Sequence, residues 1–198
     1  MLTLLLSRHG TTLANEEGVW IGKKESPISH KGQEEILQLK EKLKPYKIDG
    51  IYTSPSLRTL ETVEQVVDRD IRSRLVYPVE ALREIDFGLF EGKNFKWAKQ
   101  HYPQEVQKMI EEKEAYTYPE GESLLIMHQR IANWLRWFKR QHTQGTYFIS
   151  AHGGTIRSIL SELLIGSYDL HWHFKIGHGT LTVVTIDEDF AVIESLNG

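Results

Sequence analysis

The 198-residue chain has no cysteine, which excludes disulfides, thiolate metal sites and cysteine nucleophiles together. It also lacks any block of one charge. Its 24 lysines and arginines against 27 aspartates and glutamates leave a formal charge of −3, with no basic stripe to neutralise a nucleic-acid backbone. A nucleic-acid partner is therefore not expected. Long apolar runs are missing too. The apolar stretch Met1 to Leu6 is too short for the core of a secretion signal, lacks a basic start and runs directly into Arg8. No window approaches the roughly 18 apolar residues that a membrane span needs. These absences fit a cytoplasmic location without a membrane partner. The sequence contains no internal repeat, low-complexity tract or linker, and 198 residues suit one domain with its own core.

What is present is alternation. Leu2 to Ser7, Ile48 to Thr53 and Thr146 to Ala151 are short apolar runs of the kind buried on both faces of a sheet. Between and after them lie helical spacings. Ile156, Ile159, Leu160, Leu163 and Leu164 give the cleanest face. Weaker ones run through Ile36, Leu39 and Leu43, through Leu60, Val63 and Val67, and from Leu124 through Met127, Ile131, Trp134 and Leu135 to Phe138. Thr180 to Ile186 and Phe190 to Leu196 flank an acidic turn and predict a hairpin. The expected fold is an α/β three-layer sandwich, with a mostly parallel sheet and an antiparallel edge strand. Residues 84–122, punctuated by Pro103, Pro119 and Gly121, predict an irregular helical insertion over one end of the sheet.

Two histidines fall where strands end: His9, and His152 before Gly153-Gly154 and the cleanest helix. Ligands in open α/β sheets bind beyond those ends, and glycines at a helix start let backbone N–H groups approach an anion. Arg8 and Arg58 add planar forks of donors suited to phosphoryl oxygens. Nearby cations depress a histidine pKa and keep its nucleophilic nitrogen free.

The segments Arg8 to Asn15, Ser54 to Arg58, Leu82 to Gly92 and His152 to Arg157, in this order, closely resemble the histidine phosphatase superfamily, which includes cofactor-dependent phosphoglycerate mutases. The resemblance implies a phosphoglycerate mutase-like fold and a phosphomonoester hydrolase that needs no metal or other cofactor. It further implies that His9 takes the phosphoryl group, that Arg8, Arg58, His152 and Gly153 hold its oxygens, that Asn15 lines the pocket, and that Glu84 is the proton donor. Asp86 and Glu91 read instead as caps or salt-bridge partners. Within the superfamily, Asp86 to Lys93, Tyr118 to Leu124 and Phe174 to Leu181 are most similar to the α-ribazole phosphatase and broad-specificity phosphatase group. The implied partner is a small phosphorylated substrate, with α-ribazole 5′-phosphate one candidate.

Two departures bear on specificity. Thr11 stands where many relatives carry glutamate, and Ile21 stands where a polar residue is common, so residues 20–27 are expected to offer an apolar wall. Trp20, Tyr118, Trp172 and Phe174 are candidates to line a pocket for a flat leaving group. Three other readings use the same residues or their neighbours: a phosphoglycerate mutase, a noncatalytic phosphoryl-binding module, and a metal-dependent hydrolase built on His171, His173 and His178. The chain is shorter than typical mutases, and the acidic residues near those three histidines form no recognisable ligand set, so hydrolysis without a metal is the reading preferred.

Overall fold

The computed structural model describes residues 1–68 and 75–198. Within them a six-stranded sheet runs in the order β3-β2-β4-β1-β5-β6. Its strands are β1 (Leu2–Arg8), β2 (Gly50–Thr53), β3 (Val76–Pro78), β4 (Gly145–Ala151), β5 (Leu181–Asp187) and β6 (Phe190–Ser195). The first four are mutually parallel, β5 is antiparallel to β1, and β6 returns antiparallel to β5 as the expected hairpin.

Side-chain alternation along the strands separates two cores. Leu4, Leu6, Ile149, Ala151, Val184 and Ile186 point to one face, where they meet α6 (Leu124–Gln141) and α7 (Gly153–Ile165). Leu5, Phe148, Leu181 and Val183 point to the other and meet α2 (His30–Leu43) and α3 (Leu57–Val66). This is the three-layer arrangement. Each of Leu4, Leu5, Phe148 and Ile149 is fully buried, which is why β1 and β4 read as uninterrupted apolar runs. Ser29 and Ser123 start α2 and α6 as N-caps, accepting from the N–H groups of Gly32 and Ile126.

Three elements differ from the sequence reading. The buried face of α3 is Arg58, Thr59, Thr62, Val63 and Val66, and Leu60 is only half-buried, because this helix turns polar side chains inward toward the strand ends. The edge strand β3 and the one-turn α1 (Leu13–Glu16) were not anticipated. Residues 84–122 carry two short helices, α4 (Phe95–His101) and α5 (Pro103–Glu112), with 3₁₀ turns on either side. Phe90, Ala98 and Val106 form a small separate core there, with Trp20, Phe87 and Tyr118 packed against it.

Candidate active site

In the β1–β4 ladder Arg8 lies opposite Ala151, so His9 and His152 leave the sheet side by side at the same level. The His9 N–H extends the ladder to the Ala151 carbonyl at 3.1 Å, and the two rings meet edge-on with centroids 5.3 Å apart. The turn after His9 is pressed onto α2. A Cβ on Gly32 would lie 2.1 Å from the Thr11 oxygen, and one on Gly10 would lie 2.7 Å from the Gly32 oxygen, so both positions need glycine for this close approach. From the other side Thr62 of α3 accepts the Gly10 N–H at 3.2 Å.

His9 is 3% exposed, and its Nδ1 sits 2.8 Å from the Gly10 oxygen. A carbonyl only accepts, so Nδ1 carries the proton and the neutral ring keeps its lone pair on Nε2. Burial first, then the Arg58 and Arg8 guanidiniums, hold the ring well below the ordinary histidine range. His9 is therefore neutral at physiological pH with a free lone pair. Burial and Arg58 act the same way on His152, whose Nε2 lies 2.8 Å from Ser54 Oγ at the end of β2.

The cations are held by carbonyls. Burial pulls Arg8 down to about 10, which leaves it protonated, and its Nη1 donates to the Ile176 oxygen at 3.2 Å. Arg58, only 1% exposed, donates from Nη1 to Lys24 O (3.1 Å) and to Glu25 Oε2 (3.4 Å), and from Nη2 to Gly22 O (2.9 Å). Three bonds leave two of the five guanidinium N–H groups uncommitted among the described residues.

Glu84 faces this cluster from the 3₁₀ turn before it. Its Oε2 accepts the Gly154 N–H at 2.9 Å and its Oε1 accepts the Ile85 N–H at 3.0 Å. The carboxyl thus rests on the N-terminus of α7. Around His9, three buried nitrogens have no partner among the described residues: Arg8 Nε, His152 Nδ1 and His178 Nε2. Buried polar atoms are rarely left so in a folded protein, and this grouping suits an oxygen-rich anion.

Residues 4–198 match the histidine phosphatase superfamily (branch 1). The chain belongs to this superfamily. It is 25% identical over 197 residues to phosphoserine phosphatase 1 of Hydrogenobacter thermophilus, covering 100% of this chain and 92% of that one. It is 27% identical over 191 residues to the 2,3-bisphosphoglycerate-dependent phosphoglycerate mutase of Chlamydia abortus, with 82% and 84% covered. The fold is also that of the α-ribazole phosphatase from Shigella flexneri, with a TM-score of 0.92, 23% identity and coverage of 99% and 96%. As a histidine phosphatase superfamily member, the chain is an enzyme with the phosphoglycerate mutase-like architecture.

The remaining candidates sort as follows. Gly153 lies against Arg8, where a Cβ would meet the guanidinium at 3.3 Å. Asn15 is turned to its own helix start: its Oδ1 accepts from the Thr12 N–H (3.1 Å) and hydroxyl (2.9 Å), which leaves only its amino end for a ligand. Thr11 donates its N–H and hydroxyl to Glu35 at 2.8 and 2.9 Å. Asp86 pairs with Lys23 at 2.6 Å and accepts the Gly88 N–H, as a structural residue should.

A histidine outside the expected set joins them. His178 lies with its ring 5.5 Å from that of His9, and burial and Arg8 lower its pKa to about 3. Gly179, at φ +58°, donates its N–H to the Arg8 oxygen at 3.0 Å. A signal existed in the sequence: His9, His152 and His178 are each followed by glycine, and all three dipeptides converge. The metal-site alternative drew His178 together with His171 and His173, and the structure places His178 beside His9 and the other two on a separate 3₁₀ turn. His171 and His173 sit on a 3₁₀ turn instead of a strand, and His171 faces Ser158 at 3.1 Å. Among the described residues no group of three or more histidines, aspartates or glutamates is arranged to hold a metal ion.

A cavity of about 640 Å³ opens beyond the cluster, bordered by Arg8, Glu84, Gly153 and Gly154. Trp20, Tyr118 and Trp172 line it as expected, joined by Phe87, Met109 and Tyr116. Phe174 does not: it packs against the core on the α6–α7 side, where its carbonyl accepts from Arg157 Nε at 2.9 Å. Of residues 20–27 only Trp20 forms part of the lining, and Gly22 and Lys24 turn their carbonyls to Arg58 instead.

Proposed function

We propose that this enzyme hydrolyses phosphate monoesters through a phosphohistidine formed on His9 Nε2, with no metal ion taking part. The observation that carries the reading is the His9 Nδ1–H bond to Gly10, in a buried ring flanked by two arginines. It aims an unprotonated nitrogen into a site whose spare donors suit phosphoryl oxygens. In this reading Arg8, Arg58, His152 and Gly153 bind those oxygens, and Asn15 contributes its amino end.

Nε2 attacks phosphorus and the ester P–O bond breaks. The departing alkoxide takes its proton from the Glu84 carboxyl, since an alkoxide is otherwise a poor leaving group. Glu84, now a carboxylate, removes a proton from water, whose oxygen attacks the phosphohistidine. Phosphate leaves, and His9 and Glu84 return to their starting states. Both Glu84 oxygens accept backbone N–H bonds, which fixes the carboxyl in one orientation for both half-reactions.

The cavity is far larger than one phosphate and is walled by aromatics, which favours a bulky leaving group with an apolar face. α-Ribazole 5′-phosphate has that character, and the similarity to an α-ribazole phosphatase makes it the first compound to try. Residues 84–122, which supply half of the lining residues, act in this reading as a cap on a single-domain enzyme. The expected setting is the cytoplasm, with a small phosphorylated substrate and no nucleic-acid or membrane partner.

Rapid quenching with a ³²P-labelled monoester tests the chemistry. An acid-labile, base-stable label on His9, lost in His9→Ala together with turnover, is the expected result. Undiminished turnover in His9→Ala would sink it. Interconversion of phosphoglycerates stimulated by the bisphosphate would make the enzyme a mutase. Binding of phosphorylated ligands without turnover would make it a binding module.

A further inference from the structure

Glu91 is 6% exposed, yet it is paired with no cation at salt-bridge distance among the described residues. Instead its carboxylate accepts a set of backbone N–H bonds. Gly22 donates to both oxygens at 2.9 and 3.0 Å, Lys23 to Oε1 at 3.0 Å, Lys24 to Oε2 at 3.2 Å and Phe87 to Oε1 at 3.2 Å. Successive N–H groups wrapped round one anion make a backbone nest, here closed on an internal carboxylate. Lys24 Nζ adds a bond to the Glu91 carbonyl at 3.0 Å.

Two of these residues face Arg58 with their carbonyls. Gly22 O and Lys24 O are the acceptors that hold Arg58 Nη2 and Nη1. The peptide unit that gives the Lys23 N–H to Glu91 carries the Gly22 oxygen, so this bond sets where that acceptor points, while the Lys24 oxygen follows directly after the last N–H that Glu91 holds. Gly22 is essential to this packing: a Cβ there would lie 1.9 Å from the Ile85 oxygen and 2.6 Å from Glu91 Oε1. Among the described residues the one further hydrogen-bond partner of the guanidinium is Glu25, whose side chain is 35% exposed.

We propose that Glu91 is the positioning residue of Arg58: by gathering the N–H groups of residues 22–24 it fixes the turn whose Gly22 and Lys24 carbonyls aim the guanidinium at the phosphoryl group on His9. Glu91 touches neither substrate nor His9. It acts through the turn, and its negative charge also supports the buried guanidinium. The inference rests on the phosphatase reading, because Arg58 needs an oxyanion to be aimed at.

A double-mutant cycle tests it. Parent, Glu91→Ala, Arg58→Ala and the double variant are compared in kcat/KM for p-nitrophenyl phosphate and in inhibition by vanadate, with thermal unfolding recorded in parallel. Glu91→Ala is expected to lose about tenfold or more in kcat/KM and in vanadate affinity, since small misplacements of a reacting group are costly. Glu91→Gln, which keeps one acceptor oxygen, falls between it and the parent. In the Arg58→Ala background, Glu91→Ala changes activity by less than about threefold, because its effect passes through the missing guanidinium. A merely structural staple would lower stability equally in both backgrounds and leave the two activity losses multiplicative. That multiplicative outcome, or Glu91→Ala within about threefold of the parent, overturns the proposal. If Glu91→Ala does not fold, Glu91→Gln carries the same cycle. A parent chain that neither turns over monoesters nor binds vanadate refutes the phosphatase reading itself, whereas an active parent with a multiplicative cycle refutes only the role of Glu91.

Discussion

Gly154→Ala is the substitution that should separate catalysis from stability most cleanly. An added Cβ would stand 2.3 Å from Glu84 Oε1, about 1 Å short of an ordinary van der Waals contact, which begins at 3.4 Å. The helix cannot yield easily, because α7 is locked into the core through Ile156, Ile159 and Leu160, each at most 1% exposed. The carboxyl must move instead, breaking its 2.9 Å bond to the Gly154 N–H. A displacement of about 1 Å at a reacting group costs on the order of a hundredfold in rate. Stability should change little, since the roughly 0.4–1 kcal/mol that Gly→Ala brings at a helical position is offset by the roughly 1 kcal/mol of the lost hydrogen bond. The assay is steady-state and pre-steady-state kinetics on an alkyl monoester and on p-nitrophenyl phosphate, beside urea unfolding. For the alkyl substrate both half-reactions need Glu84, and turnover drops by the full factor. For p-nitrophenyl phosphate the leaving group needs no proton, so the first half-reaction survives while water activation slows, and a burst of one nitrophenolate per enzyme appears. Normal turnover of both substrates, with the variant folded, would refute the placement of Glu84 as acid and base.

Three further outcomes are expected. Stability should fall as the pH is lowered from about 6.5, because the unfolded chain protonates its histidines there while the folded state holds His171 and His178 neutral down to about 3. The loss approaches about 1.4 kcal/mol per pH unit for each such ring, with His9 and His152 adding to it. Urea unfolding at pH 7.5 and 5 measures it, and equal midpoints would contradict the neutral histidine cluster. Exhaustive chelation should leave turnover intact, and loss that is restored by one added divalent ion would contradict metal-free chemistry. Trp172→Ala removes a residue that is 65% exposed at the cavity and lies beside Arg157, so the fold should be unaffected. KM for aryl monoesters should rise several-fold more than for small alkyl ones, at the cost of roughly 0.5–1.5 kcal/mol for a lost aromatic contact. An equal change for both would deny Trp172 a part in reading the leaving group.

The central parallel strands and the long helices were legible because burial on both faces leaves an unbroken apolar run and burial on one helical stripe leaves a period. Leu2 to Arg8 and Leu124 to Phe138 show it plainly. Val76–Pro78 left none: it is a three-residue edge strand with little to bury. In α3 the inward face holds Arg58, Thr59 and Thr62, so an apolar template drew attention to Leu60 instead. Within the site, His9, His152, Arg58 and Glu84 stood out through their strand-end positions and the family resemblance. His178 did not, because it is brought in by an isolated bridge to Arg8 and belongs to no periodic segment. The link from Glu91 to Arg58 was beyond reach for a similar reason. It runs through three peptide units 67 to 69 residues away from Glu91, and backbone hydrogen bonding carries no residue signature.

The register that sets Arg8 against Ala151 has a consequence for how such an enzyme diversifies. His9, the proposed nucleophile, and His152 are spaced by the ladder of two central strands, the part of the molecule least able to drift. Trp20, Phe87, Met109 and Tyr118 of the cavity wall, which meets the leaving group in the proposed reading, hang on a small satellite core of Phe90, Ala98 and Val106. Substitutions in that satellite can remodel what the enzyme accepts while the distance between His9 and His152 stays as the sheet dictates. In the proposed reading reactivity and selectivity thus rest on separate parts of one chain, and a transplanted wall should carry its preference with it.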